Sequence, residues 1–154
     1  MCARKDILIV SDEIHSDLIV GNIKHTCVAS ISEEASRRTV TLMAPSKTFN
    51  LAGLKSSNII IPERKLREAY TNVTSSLSLG ANLFGLAAAE AAYSKGEAWL
   101  EELLVYLRGN LKAMEEFIAA KIPELKVYPL EGTYLPWIDC RALGLDDAQL
   151  REFF

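Results

Sequence analysis

The sequence predicts an α/β fold, with helices set around a mostly parallel sheet. Three observations carry that prediction. Short continuous apolar runs rich in β-branched residues recur as "ILIV" (7–10), "TVTLM" (39–43) and "NIII" (58–61), the pattern of strands buried on both faces. A polar segment of helical character separates the first two runs, as a parallel crossover requires. From Pro62 onward the apolar residues recur every three or four positions, the period of helices with one buried face.

Each element follows in order. "ILIV" runs straight into Ser11, Asp12, Glu13 and His15. "SISEEASRR" reads as a short crossover helix, with Ser30 and Glu33 as a capping box and Arg37-Arg38 at its negative end. "TVTLM" is closed by Ala44-Pro45, and "NIII" by Pro62. "PERKLREAYTNV" carries Pro at a first helical turn, and "NLFGLAAAEAAYSKG" is a second helix ending at Gly96. Next comes a long amphipathic helix whose stripe runs from Leu100 through Leu104, Leu107, Leu111 and Met114 to Phe117 and Ile118, stopped by Pro123. Gly109 is an unexplained weak point in its middle. Strand chemistry returns at Val127-Tyr128 and from Tyr134 to Ile138 around a turn near Glu131-Gly132. A last helix starts at "LDDAQLREFF", with Asp146 as its cap. Opening on a strand and closing inside a helix, the chain reads as cut at both ends.

Composition narrows the function classes. With 154 residues, 49% apolar and 24% charged, this is an ordinary globular composition with length for one domain. The net charge of −3, with Lys and Arg spread along the chain, gives no phosphate-tracking surface for nucleic acid. No apolar run approaches the roughly 18 residues that cross a bilayer. The initial run of four falls short of the ~7–15 of a secretory signal. Cys2, Cys27 and Cys140 are odd in number and lack CxxC spacing, so they read as reduced thiols of a cytoplasmic protein and not as metal ligands. No metal site is expected.

If the first two strands are parallel, both lead out at one edge of the sheet, where open α/β sheets bind ligands. Asp12, His15, Ser46 and Lys47 then converge on one crevice although 47 − 12 = 35 positions separate its ends. A carboxylate, an amine and a hydroxyl in one crevice suit pyridoxal 5'-phosphate: a lysine forms the Schiff base and an Asp keeps the pyridine nitrogen protonated. Taken one at a time these residues are unremarkable. Asp12 and Glu13 read as a polar strand end, His15 as a half-buried histidine and Lys47 as a solvated loop lysine. Only the joint pattern reverses those readings. Glu13 stays a plain strand end, His25 lacks a partner, and Arg37 and Arg38 read as a solvated helix end. Trp99, Tyr106, Trp137, Phe153 and Phe154 sit in core-like patterns.

"SDEIHSDL" and "APSKTFNLAGL" resemble the fold type I, class I/II aminotransferase superfamily, and most nearly its MalY/PatB-type C–S β-lyases, the cystathionine β-lyases. The resemblance runs over essentially the whole chain. It implies that residues 1–95 are part of the cofactor-binding large domain. It makes 96–122 a connecting helix and 123–154 the start of a small α+β C-terminal domain. It makes Lys47 the Schiff-base lysine and proton shuttle, Asp12 the partner of the pyridinium nitrogen, His15 the neighbour of the ring hydroxyl and Ser46 a phosphate ligand. Ala44 stands where relatives often place a phosphate-binding Ser. Lys55 stands where they often place an Arg, so it is a weak phosphate ligand acting as a point charge.

The activity implied is β-elimination from a small sulfur amino acid, giving pyruvate, ammonia and a thiol. Class I/II transamination is the alternative, since the visible residues serve both. A non-catalytic binding or regulatory fragment that kept the fold is the reading from another class. The resemblance also implies a homodimer. It further implies that a Gly-rich phosphate loop and a carboxylate-clamping Arg lie outside this chain; neither Arg141 nor Arg151 sits in a context that matches that Arg.

Overall fold

The computed structural model describes residues 1–153, so the reading of Phe154 lies outside the described residues. The chain divides into two compact units. The first comprises Met1–Asp17 with Lys24–Leu100, the second Leu18–Ile23 with the chain from Glu101 on.

The first unit is built on a three-stranded sheet of order β1-β2-β3, with β1 at Ile9–Asp12, β2 at Thr39–Met43 and β3 at Asn58–Ile60. β1 and β2 are parallel, joined through helix α1 (Glu33–Arg38). That helix is capped two residues later than the sequence suggests: Ser32 Oγ accepts the Ala35 N–H at 3.1 Å, while Ser30 Oγ donates to the Cys27 carbonyl within a 3-10 turn. The competing local bond takes Ser30 out of the capping position. Arg38 is also not a solvated helix end. It pairs with Glu34 and donates to the Ile7 carbonyl at 3.2 Å, with only 15% of its side chain exposed.

β3 departs from the expected parallel pairing. It runs antiparallel to β2, with Thr41 opposite Ile60 and Met43 opposite Asn58. The helix between them, α2 (Pro45–Thr48), has four residues. At about 1.5 Å of rise per residue it cannot return the chain to the far end of the sheet.

β1 departs from its reading too. It lies on the sheet edge with β2 on one flank only, so Ile7, Leu8 and Val10 are about half exposed or more instead of buried on both faces. Burial is concentrated on β2 and the segment after it: Thr39, Thr41, Thr48 and Pro45 are fully buried, with Ala44 and Ile61 beside them in the buried set.

Helix α3 (Arg64–Ser76) opens on Glu63, whose carboxylate accepts the Lys65 N–H. Helix α4 (Leu83–Lys95) opens on Asn82, whose side chain accepts the Gly85 N–H. Helix α5 (Glu97–Lys121) follows Gly96 without a loop. At Gly96 an added Cβ would lie 2.4 Å from the Phe49 ring, so only glycine admits that close approach.

In the second unit, Leu18, Val20 and Ile118 are buried. The expected apolar stripe on α5 is half-buried from Leu103 to Met114, but Phe117 is exposed. The strands β4 (Lys126–Val127) and β5 (Ile138–Asp139) form a two-stranded antiparallel sheet. Leu18–Ile23 is held to the turn at Gly132 by an antiparallel bridge from Ile19, with the Thr133 N–H donating to the Leu18 carbonyl at 2.7 Å. Helix α6 (Asp147–Phe153) is capped by Asp146, which accepts the Ala148 and Gln149 N–H groups. Tyr106, Trp137 and Phe153 are mostly exposed, not core, and Trp99 covers only part of its surface. None of the helices of the described residues is long and apolar enough to cross a membrane.

Candidate active site

The parallel pairing sets the site. Ile9 lies opposite Thr39 and Asp12 opposite Leu42, and the Glu13 N–H continues the ladder to the Leu42 carbonyl at 2.8 Å. Both chains therefore leave the sheet at the same edge. β1 hands over to Glu13–Asp17, and β2 to α2 after Ala44.

That edge receives four of the five residues singled out by sequence. Asp12 is exposed at the last position of β1, where its Oδ1 accepts the Ile14 N–H at 3.3 Å. His15 is half-buried in the following turn. Ser46 and Lys47 are half-buried in α2, and among the described residues Lys47 makes no salt bridge. The fifth, Lys55, shares no hydrogen bond with the other four among the described residues. It is exposed in the left-handed region at φ 48° and lines a shallow cavity of about 230 Å³ with Ser57, Tyr70 and Gly80.

Two polar ties that sequence reasoning missed hold this edge. Thr48 is fully buried, and its Oγ1 donates to Asp17 Oδ2 at 2.9 Å, linking the segment after β1 to the segment after β2. Phe49, next in the chain, packs edge-on against Tyr93 with ring centres 6.1 Å apart and lies 5.7 Å from the Trp99 ring. Tyr93 is pushed above its ordinary pKa by burial first and then by the negative charge of Asp17.

The second tie is at Glu13, which is not a plain strand end but 5% exposed. It accepts from His25 Nε2 at 2.8 Å, from the Val28 N–H at 3.0 Å and from Ser11 Oγ at 3.0 Å. So His25 does have a partner. Burial opposes ionisation of Glu13, yet the hydrogen bonds from His25, Val28, Cys27 and Ser11 together outweigh it and leave the carboxyl below its ordinary pKa. Neither tie has a sequence signature: 12 positions separate Glu13 from His25 and 31 separate Asp17 from Thr48. The available hint was that Asp17 and Thr48 fall inside the two motifs already quoted.

Both arginines of the C-terminal stretch belong to the second unit. Arg141 is bound to Asp139, whose carboxyl is held well below its usual range by the hydrogen bonds of that guanidinium. Arg151 lies exposed on α6.

Comparison with known proteins places this geometry. The family model described as aminotransferase class I and II matches residues 1–152. The cystathionine beta-lyase PatB of Bacillus subtilis is 44% identical over 153 residues, which is 99% of this chain and 40% of that protein. The MalY protein of Escherichia coli is 32% identical, over 99% of this chain and 39% of its own length. Among solved structures, cystalysin from Treponema denticola, which contains a pyridoxal 5'-phosphate cofactor, superposes with a TM-score of 0.94 at 38% identity, covering 99% of this chain and 39% of its own. The chain thus spans about 40% of the length of the curated relatives it matches. With its two motifs at the carboxyl ends of neighbouring parallel strands and the family model matched nearly end to end, the chain belongs to the class I and II aminotransferase family.

Proposed function

We propose that the full-length protein is a pyridoxal-phosphate-dependent C–S β-lyase that releases pyruvate, ammonia and a thiol from sulfur amino acids. The observation that carries this reading is the parallel register of β1 and β2, which delivers Asp12 and Lys47 to one edge of the sheet. The donor set there fits the cofactor: an exposed carboxylate, a half-buried amine without a salt bridge among the described residues, an imidazole and a hydroxyl. When bound, the cofactor supplies an aldehyde for an amine and a ring that accepts electron density.

The chain's own residues do the rest. Lys47 Nζ would hold the cofactor through its aldehyde and, as a free amine, would take the proton from the substrate Cα. Asp12 holds a proton at the ring nitrogen and so keeps the ring electron-poor. His15 would lie beside the ring hydroxyl, and Ser46 Oγ would donate to the phosphate. Lys55 is not drawn into this set: it is exposed and lines a shallow cavity with Ser57, Tyr70 and Gly80. The names of PatB and of other relatives called cystathionine beta-lyase support elimination over transamination.

The test is spectroscopic and chemical. Full-length protein is expected to show a visible absorbance that borohydride removes, and to release pyruvate from a cysteine conjugate without an amino acceptor. Lys47→Ala should lose the band; a retained band sinks the assignment. Product formation only with a keto-acid acceptor identifies the protein as an aminotransferase instead.

The same preparation should sediment as a homodimer. Leu77, Leu79, Leu83 and Phe84, all within residues 77–84, are each more than 60% exposed in one chain. A monomeric species in sedimentation velocity overturns the dimer. The three unpaired, widely spaced thiols support a reducing, cytoplasmic location.

A further inference from the structure

We propose that Asp17 and Thr48 are positioning residues for Lys47: the hydrogen bond between them fixes the turn that presents the amine to the cofactor. The inference deepens the reading of Lys47 given above and rests on it.

Thr48 follows Lys47 directly in α2, so whatever fixes Thr48 fixes the backbone from which the Lys47 side chain departs. α2 has four residues, fewer than a helix needs to hold itself, since an isolated helix of under ~12 residues is marginal. Its place must come from tertiary contacts. Two are visible on its C-terminal side. Phe49 packs against Tyr93 and lies beside Trp99. Thr48, fully buried, ties the same turn to Asp17 through its hydroxyl.

Asp17 is suited to this. It ends the segment that begins with Asp12, so the bond joins the proposed ring-nitrogen partner and the proposed amine into one frame across 31 positions. Its negative charge also acts on Tyr93, the residue that packs on Phe49. The Thr48 hydroxyl thus ties α2 to the segment after β1, while Tyr93 of α4 packs on the neighbouring Phe49. A β-branched side chain is a good choice for this position, because Thr has few rotamers to lose. Neither residue reaches the chemistry itself. Their effect is expected to appear in how Lys47 meets the cofactor.

The test uses full-length protein and paired variants. Thr48→Val keeps the shape and removes the hydroxyl; Thr48→Ser keeps the hydroxyl. Asp17→Ala removes the acceptor; Asp17→Asn keeps one. Each protein is mixed with limiting pyridoxal phosphate and reduced with borohydride, and the modified Lys47 peptide is quantified by mass spectrometry. Thr48→Val and Asp17→Ala should trap Lys47 about tenfold more slowly than wild type, as expected for a misplaced reacting group. Thr48→Ser and Asp17→Asn should restore most of the rate. Thermal unfolding, followed in parallel, should not rank the variants in the same order.

Wild-type trapping rates in Thr48→Val, or equal loss in Thr48→Val and Thr48→Ser, overturn the positioning role while leaving Lys47 as the amine. Should Thr48→Val fail to fold, the Asp17→Ala and Asp17→Asn pair decides by the same criterion. Absence of trapping at Lys47 in the wild type overturns both this inference and the functional reading beneath it.

Discussion

The carboxyl edge of the three-stranded sheet and the long helix α5 are held by opposite means. At the sheet edge the two long-range ties are polar: Glu13 and Thr48 are both shielded from water, and each is hydrogen-bonded to a side chain distant in sequence. Along α5 the shielded side chains are apolar, with Ile118 buried and Leu103, Leu104, Leu107, Leu111 and Met114 half-buried. Hydrophobic contact is non-directional and tolerates volume-conserving exchange, whereas a buried hydrogen bond demands a donor and an acceptor at one distance and angle. The helix is therefore a tolerant element, and the sheet edge a specific one. Specificity sits where the chain must place a carboxylate and an amine from two separate strand ends.

The largest break in that comparison is at Glu13. Removing a carboxylate that is 5% exposed strands the His25, Val28 and Ser11 donors it accepts from. Glu13→Ala should cost about 2–3 kcal/mol, since hydrogen bonds to a charged group contribute about 1.5–3 kcal/mol and the donors lose their partner. Urea unfolding of wild type and variant measures this, and a difference near zero would show the edge to be as tolerant as α5.

The pH dependence sharpens it further. Burial acts to raise the Glu13 pKa, but its hydrogen bonds prevail and the folded value lies below the ordinary 4.5. The folded state thus binds the proton less tightly than the unfolded chain does. The stabilisation is fully present above pH 4.5 and is lost as pH falls through the lowered folded value. Wild type should lose stability over that acid range more steeply than Glu13→Ala.

The same contrast explains what could be read from sequence. The apolar stripe of α5 was legible because helical period is local, and so was β2, whose range matches the "TVTLM" run residue for residue. The two motifs were legible because each is contiguous. The properties that escaped are those that depend on neighbours in space. The "ILIV" run has the composition of a buried strand, but composition cannot say that β1 would have one flanking strand. The direction of β3 depends on the reach of a four-residue helix. Glu13 and His25 each looked ordinary alone, and the polar pairings at the edge span 12 and 31 positions. Long-range hydrogen bonds leave no period behind, so the most specific region of the chain was the least visible.

The smallest expected effect tests the tolerant side. Gly109 interrupts the α5 sequence, yet the helix runs unbroken from Glu97 to Lys121. An added Cβ at Gly109 would meet nothing within 4 Å, so no packing demand accounts for glycine there. Its φ is not in the left-handed region, which removes the conformational demand as well. The remaining contribution is the entropic cost of glycine in a helix interior, roughly 0.5–1 kcal/mol relative to alanine. Gly109→Ala should therefore stabilise the protein by that amount, read as a small rise in the urea midpoint without a change in slope. The identical exchange at Gly96, ahead of the same helix, drives a methyl to 2.4 Å from the Phe49 ring, which is why the sign at Gly109 is informative. A loss of stability at Gly109 would mean that this face of α5 is covered in the full-length protein, and that the helix is less tolerant than its exposed glycine suggests.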